Sequence, residues 1–326
     1  MSRKRLLMLL LLLFAPLVEP MTGSTPLCQL NLINYFLFVL LYGVGALMAR
    51  ELFVRYKSYL SLALIGIAYG IFEEGLLTQS FLYPGYPDVG SLSLRVMFLG
   101  VQWMWAVKLI WLHMTISIMG VLFIAHTLFP DESNEVLLGR KGWIMSILSW
   151  VVLLGIWMSM IITRKGVYNG YDFHIMPFLF LLGCFFAFLY VAYLVRDNEV
   201  RLSELRPMPV AVYFFAGFFA QMGNVFIPDL LVAMHIGDGL VFIYQIMFFT
   251  AIMAFMRYFL LNKYVNRFRV AVFVFGNLFF FLVLQLLAKF VFHIPGMNCS
   301  LLNVLVFGLL LSLWLWRVYI GGLRNE

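Results

Sequence analysis

The chain has 326 residues, 64% hydrophobic and only 11% charged, with a mean hydropathy of +0.98. A soluble domain carries roughly 25% charged residues, so water cannot cover this chain, and a lipid bilayer is its expected solvent and partner. The formal net charge of +7 would suit nucleic acid in a soluble protein. Here the basic residues sit in short loops and no nucleic-acid motif is present, so no nucleic-acid partner is expected.

Backbone groups in lipid must pair within their own segment, so apolar runs of about 20 residues read as helices. The runs are too long and continuous for barrel strands, which alternate with period two. The expected fold class is all-α: a polytopic transmembrane helical bundle of nine spans plus an N-terminal signal-like segment or tenth span. The opening "MSRKRLLMLLLLLFAPLVEP" has a basic start and a short apolar core. It lacks a clean small-x-small cleavage site, which favours a retained span. Residues 1–20 are thus a signal-like segment or first transmembrane helix, and 21–326 a single polytopic membrane domain. Further runs follow at 29–49, 58–82, 100–127, 143–163, 176–195, 209–227, 239–258, 268–292 and 299–320. Pro and Gly punctuate the loops "YPGYPDVG", "RPMP" and "HIPGMN".

Charge tests this count. With a cytoplasmic N-terminus, all but Arg95, Lys108, Arg164, Lys165 and Lys289 of the 22 basic residues fall on cytoplasmic segments, Arg50, Arg55 and Lys57 among them. An error of one span would scramble every later loop. The expectation is a multi-pass protein of the cell membrane with both termini cytoplasmic.

The run "YGIFEEGLLTQSF" carries two adjacent acids, Glu73 and Glu74. The stretch from Tyr59 to Phe72 would make a helix of only about 21 Å, short of a hydrocarbon core about 30 Å thick. The span therefore needs the acids, which fall in its outer third. An ionised acid in a span costs at least ~2.5–3.5 kcal/mol on insertion scales, so each requires a partner, a proton or water. Gly66, Gly70, Glu74 and Thr78 recur at i+4 on a face that permits close helix approach; Glu73 continues an edge with Tyr69. The next run returns from outside with Lys108 at the depth of Glu74 and His113 about 7 Å deeper. A Glu73/Glu74–Lys108 ion pair is the first partner expected.

Gln285, Lys289 and His293 recur at i+4 in a later run, and "IPDLLVAMHIGDG" adds Asp229, His235 and Asp238 as an outer loop. The candidate polar site is Glu73, Glu74, Lys108, His113, Gln285 and Lys289. A divalent metal would draw on Glu73, Glu74, His113, His235 and Asp238. Plainer readings stand beside these: a structural ion pair, a helix-to-helix hydrogen bond at His113, interfacial snorkelling of Gln285 and Lys289, and a solvated loop at His235 and Asp238. Cys28 and Cys299 both fall at outer helix starts, where a disulfide is one option; Cys184 is mid-span, and zinc and redox cysteine patterns are absent.

The Glu-Glu of "EEGLLTQ" resembles the first motif of CAAX-protease-like intramembrane metalloproteases. That family's basic residue four positions after the second Glu is Thr78 here. Its later motifs match poorly: His126 of "LFIAH" falls on the cytoplasmic side, and "HIGD" is one residue short. "EEGLLTQS", "WLHMTISI" and "LFPD", over residues 59–142, resemble recurring segments of an uncharacterised group of multi-pass prokaryotic membrane proteins, which implies a membrane fold and no reaction. Three functional readings remain. One is transport or solute or ion binding, with a proton or cation on Glu73 or Glu74 and Lys108, Gln285 and Lys289 lining an outward cavity. The second is a membrane-embedded metal-dependent hydrolase or protease, one acid acting as general base on a metal-bound water. The third is a non-catalytic membrane scaffold. The first stands ahead, because the metal ligands follow no recognised motif; whether the protein is an enzyme stays open.

Overall fold

A computed structural model describes residues 2–197, 204–291 and 300–323. The architecture is all-α, and among the described residues 10 helices are long and apolar enough to cross a membrane. They are α1 (Arg3–Thr22), α2 (Leu32–Tyr56), α3 (Tyr59–Leu77), α4 (Trp103–Leu128), α5 (Arg140–Ile162), α6 (Ile175–Leu194), α7 (Val210–Ala233), α8 (Asp238–Leu260), α9 (Arg267–Phe290) and α10 (Ser300–Gly321). The signal-like segment is helix α1, packed into the bundle with Leu7, Leu11 and Ala15 fully buried. Helices α3, α4 and α9 are the most enclosed, whereas α5, α6 and α8 present most of their surface outward. His293 and Cys299 lie outside the described residues, as do Arg201 and Arg324.

Three boundaries differ from the apolar runs. Helix α3 stops at Leu77 rather than 82, because Gln79 turns the chain at φ 55°. That turn is held by the Tyr168 hydroxyl donating to the Thr78 carbonyl (2.8 Å) and by Tyr171 donating to Gln79 Oε1 (2.9 Å). Helix α7 continues to Ala233, past the expected end at 227. Pro228 falls in the first turn of its last helical segment, Ile227–Ala233, where a missing N–H costs little. Helix α2 continues to Tyr56, which moves Arg50 and Arg55 from a loop into a helix.

Arg50 is the larger correction. Expected as a loop charge, it is fully buried. Its guanidinium pairs with Glu51 Oε1 at 2.7 Å and donates to the carbonyls of Glu132 (2.7 Å), Ser133 (3.2 Å) and Glu135 (2.5 Å). Arg3 and Lys4 tie the same 129–139 loop to the N-terminus through Asp131, Glu132 and Glu135. At the opposite end of the bundle, residues 78–102 form a long loop. It contains a small antiparallel hairpin, β1 (Met97–Phe98) and β2 (Val101–Gln102).

Glycines set the closest helix crossings. A Cβ on Gly217 would lie 2.1 Å from the Phe273 carbonyl oxygen, and one on Gly276 2.2 Å from that of Phe214. Helices α7 and α9 thus meet backbone to backbone, the arrangement small residues allow in lipid. Gln221 bridges the same region, donating to Thr115 Oγ1 (2.9 Å) and Asn277 Oδ1 (3.0 Å). Helix α3 approaches α4 in the same way: a Cβ on Gly66 would be 2.9 Å from Met114 Cα, and on Gly70 3.1 Å from Ile110 Cα.

Candidate metal centre

The close α3–α4 crossing brings the paired acids against His113. His113 Nε2 lies 3.1 Å from Glu74 Oε1, and Nδ1 lies 3.2 Å from Glu73 Oε2 and 3.1 Å from Ser117 Oγ. The imidazole therefore sits between two carboxylates. One ligand atom from each of Glu73, Glu74 and His113 falls within 4.8 Å of the others. Glu73 and His113 are buried and Glu74 nearly so. Glu74 Oε2 accepts from Thr78 (3.1 Å) and from Ser80 (2.5 Å), whose oxygen in turn accepts from Trp105 Nε1 (3.1 Å). On the other side of the imidazole, Glu73 Oε2 has His113 Nδ1 as its charged neighbour, and the Tyr69 and Tyr42 hydroxyls face the same carboxylate.

Each element contributes through a local distortion. Val39–Gly43 of α2, Ile71–Leu77 of α3 and His113–Gly120 of α4 are π-helical turns. They carry, respectively, Tyr42; Glu73 and Glu74; and His113 and Ser117. Such turns are rare and concentrate at functional sites, because the extra residue re-aims side chains that a regular helix would point elsewhere. Tyr42 stacks over the His113 ring with centroids 6.4 Å apart, and Tyr69 meets the ring at a steep angle at 6.0 Å. Above the site, in the 78–102 loop, burial together with the charge of Glu74 raises both the Asp88 carboxyl and the Tyr86 phenol.

The expected Glu73/Glu74–Lys108 ion pair does not form. Lys108 Nζ binds Asp229 Oδ2 at 2.7 Å, and Asp229 also accepts from Ser91. The reason is angular: five residues of helix place Lys108 about 140° around α4 from His113, facing α7. The extension of α7 past 227 then supplies Asp229. Gln285 lines no outward cavity; it is buried, donating to the Met21 carbonyl (2.7 Å) and accepting from Asn303 (3.0 Å). It fastens α9 to α1 and α10. Lys289 lies beside the Phe290 ring, 5.3 Å from its centroid. His235 is exposed at a left-handed turn (φ 59°) and Asp238 pairs with Arg95, so neither reaches the acids.

Glu19 of α1 escaped the sequence reading. It accepts from the Tyr42 hydroxyl at 2.7 Å, which links it to the ring stacked on His113. The signal was present: an ionisable residue within an apolar run is a functional-site candidate. It was obscured because the segment also read as a leader, whose residues would not enter a site.

Fold and site together define a multi-pass helical membrane protein with a buried Glu-Glu-His group. No protein-family model, curated protein or solved structure matches the chain.

Proposed function

We propose that the protein binds a divalent cation through Glu73, Glu74 and His113, and that this ion-binding centre is its working site. The observation that carries the reading is the convergence of two carboxylates and an imidazole within 4.8 Å, in an enclosed place where uncompensated acids are costly. Carboxylate oxygen and imidazole nitrogen suit zinc or manganese. Three protein ligands leave coordination positions free, as sites that act on a bound water or solute require. Ser117 at Nδ1, and Thr78 and Ser80 at Glu74, would orient the ligands from behind, the usual task of second partners at a metal. Glu19, held by Tyr42 and outside the ligand set, is the acid left to accept or deliver a proton.

The orientation follows from charge. The end bearing the N-terminus and the 129–139 loop carries most basic residues, and the positive-inside rule puts it in the cytoplasm. The centre then lies in the half of the bundle facing the outside of the cell membrane, beneath the 78–102 loop.

The test is metal analysis of the full chain purified in detergent without chelator. The reading expects about one zinc or manganese per chain, lost in Glu74→Gln and His113→Ala while both variants stay monodisperse. A metal-free wild-type protein whose melting temperature does not move on adding zinc, manganese or calcium would overturn it.

A further inference from the structure

A second site lies on the other side of α1. A cavity of about 310 Å³ is enclosed by α1, α4, α9 and α10, and its walls are apolar apart from one charged residue, Arg317. Along α1 it runs from Leu10 to Met21, and along α4 from Leu128 to Ile116, about 16–18 Å of helix. That is close to one leaflet of a hydrocarbon core about 30 Å thick. Leu311 is buried in its floor, whereas Leu310 and Leu313 are exposed at its rim, so the cavity opens sideways. Trp314 closes the wall by donating to Thr127 Oγ1 at 2.8 Å.

Arg317 decides the occupant. It lies at the Leu128 end of the groove, one helical turn past Trp314, at the end of the bundle that holds the N-terminus. Its side chain is exposed, and among the described residues no carboxylate pairs with it. Arg3 and Lys4 at the same end of the bundle, in contrast, are matched by Asp131, Glu132 and Glu135. An unmatched guanidinium at headgroup depth, above a leaflet-long apolar groove, complements a phosphate attached to an acyl chain. We infer that this groove is a binding site for one anionic phospholipid of the leaflet facing the N-terminal end, its phosphate on Arg317 and one acyl chain between α1, α4 and α10. The site is separate from the Glu-Glu-His centre, which lies on the α2- and α3-facing side of α1 and α4.

The test uses the full chain in detergent, titrated with dioleoyl-phosphatidylglycerol or dioleoyl-phosphatidylcholine and read by native mass spectrometry. One phosphatidylglycerol should bind in preference to phosphatidylcholine. Arg317→Gln should weaken that lipid about fivefold, while Arg317→Lys and Arg5→Gln, a charge at the same end but outside the groove, should not. Leu313→Trp, narrowing the mouth without touching the charge, should weaken both lipids. Equal binding of the two lipids, or an Arg317→Gln variant that binds like Arg5→Gln, would overturn the inference. Neither outcome depends on whether a metal is bound.

Discussion

Charged residues in this protein divide by what they face. Arg50 and Glu51 form a knot that organises the 129–139 loop: Glu51 Oε1 also accepts from the Leu137 amide at 2.9 Å. Removing the arginine strands a buried carboxylate and three carbonyls. Arg50→Leu should therefore cost about 3–5 kcal/mol, read as a lowered melting temperature in detergent, with metal content unaffected in whatever fraction folds. The Glu-Glu-His centre answers to a different measurement. Its ligands bind a cation only when deprotonated, so metal occupancy should fall as pH is lowered and return when it is raised. Glu19→Gln should leave that occupancy in place, since Glu19 holds Tyr42 rather than a ligand position. Loss of metal in Glu19→Gln would instead make Glu19 a ligand.

At the scale of elements, contact distance matters more than hydrophobicity. The ten helices among the described residues are apolar, and lipid offers little hydrophobic incentive for them to associate. Close approach at glycine supplies the packing. Gly276→Leu sets a side chain against the Phe214 carbonyl and should reach or exceed the usual 1–3 kcal/mol of overpacking. Gly155→Leu on α5, with no neighbour within 4 Å, should be silent; comparable losses in both would count against the argument. Gly70→Leu belongs with Gly276→Leu, with an added consequence. By forcing α3 off α4 it should separate Glu74 from His113 and abolish metal binding even where the bundle survives.

For the whole molecule, the two ends have different characters. One is basic and tied together by ion pairs; the other carries the 78–102 hairpin loop over the buried acids. That loop is pinned to α7 and α8 by the Ser91–Asp229 and Arg95–Asp238 contacts. A single cysteine placed at Asn169, on the hairpin end, should react with an impermeant maleimide in intact cells. One placed at Lys57 should react only after permeabilisation. The reverse pattern would invert the proposed orientation.

The number of helices and the presence of acids within one of them were legible in the amino-acid order. Both depend on local quantities: the length of an apolar run against bilayer thickness, and the cost of a charge within it. Which candidate partner meets those acids was not legible. Lys108, at the depth of Glu74, was expected first, and His113, deeper on the same helix, only as a ligand beside the acids. Which of them turns inward depends on π-helical turns, which have no local signature in the sequence, and on which helix the Gly66–Gly70 face meets, which its i+4 spacing does not name. The pairings of Glu19 and Asp229 were not legible either: each became a partner only when α1 packed as a helix of the bundle and α7 ran on past Pro228. Sequence thus determined how many times the chain can cross lipid and where it resists doing so. Tertiary structure decided which polar groups meet, because that is fixed by helix rotation and approach between segments far apart in the chain.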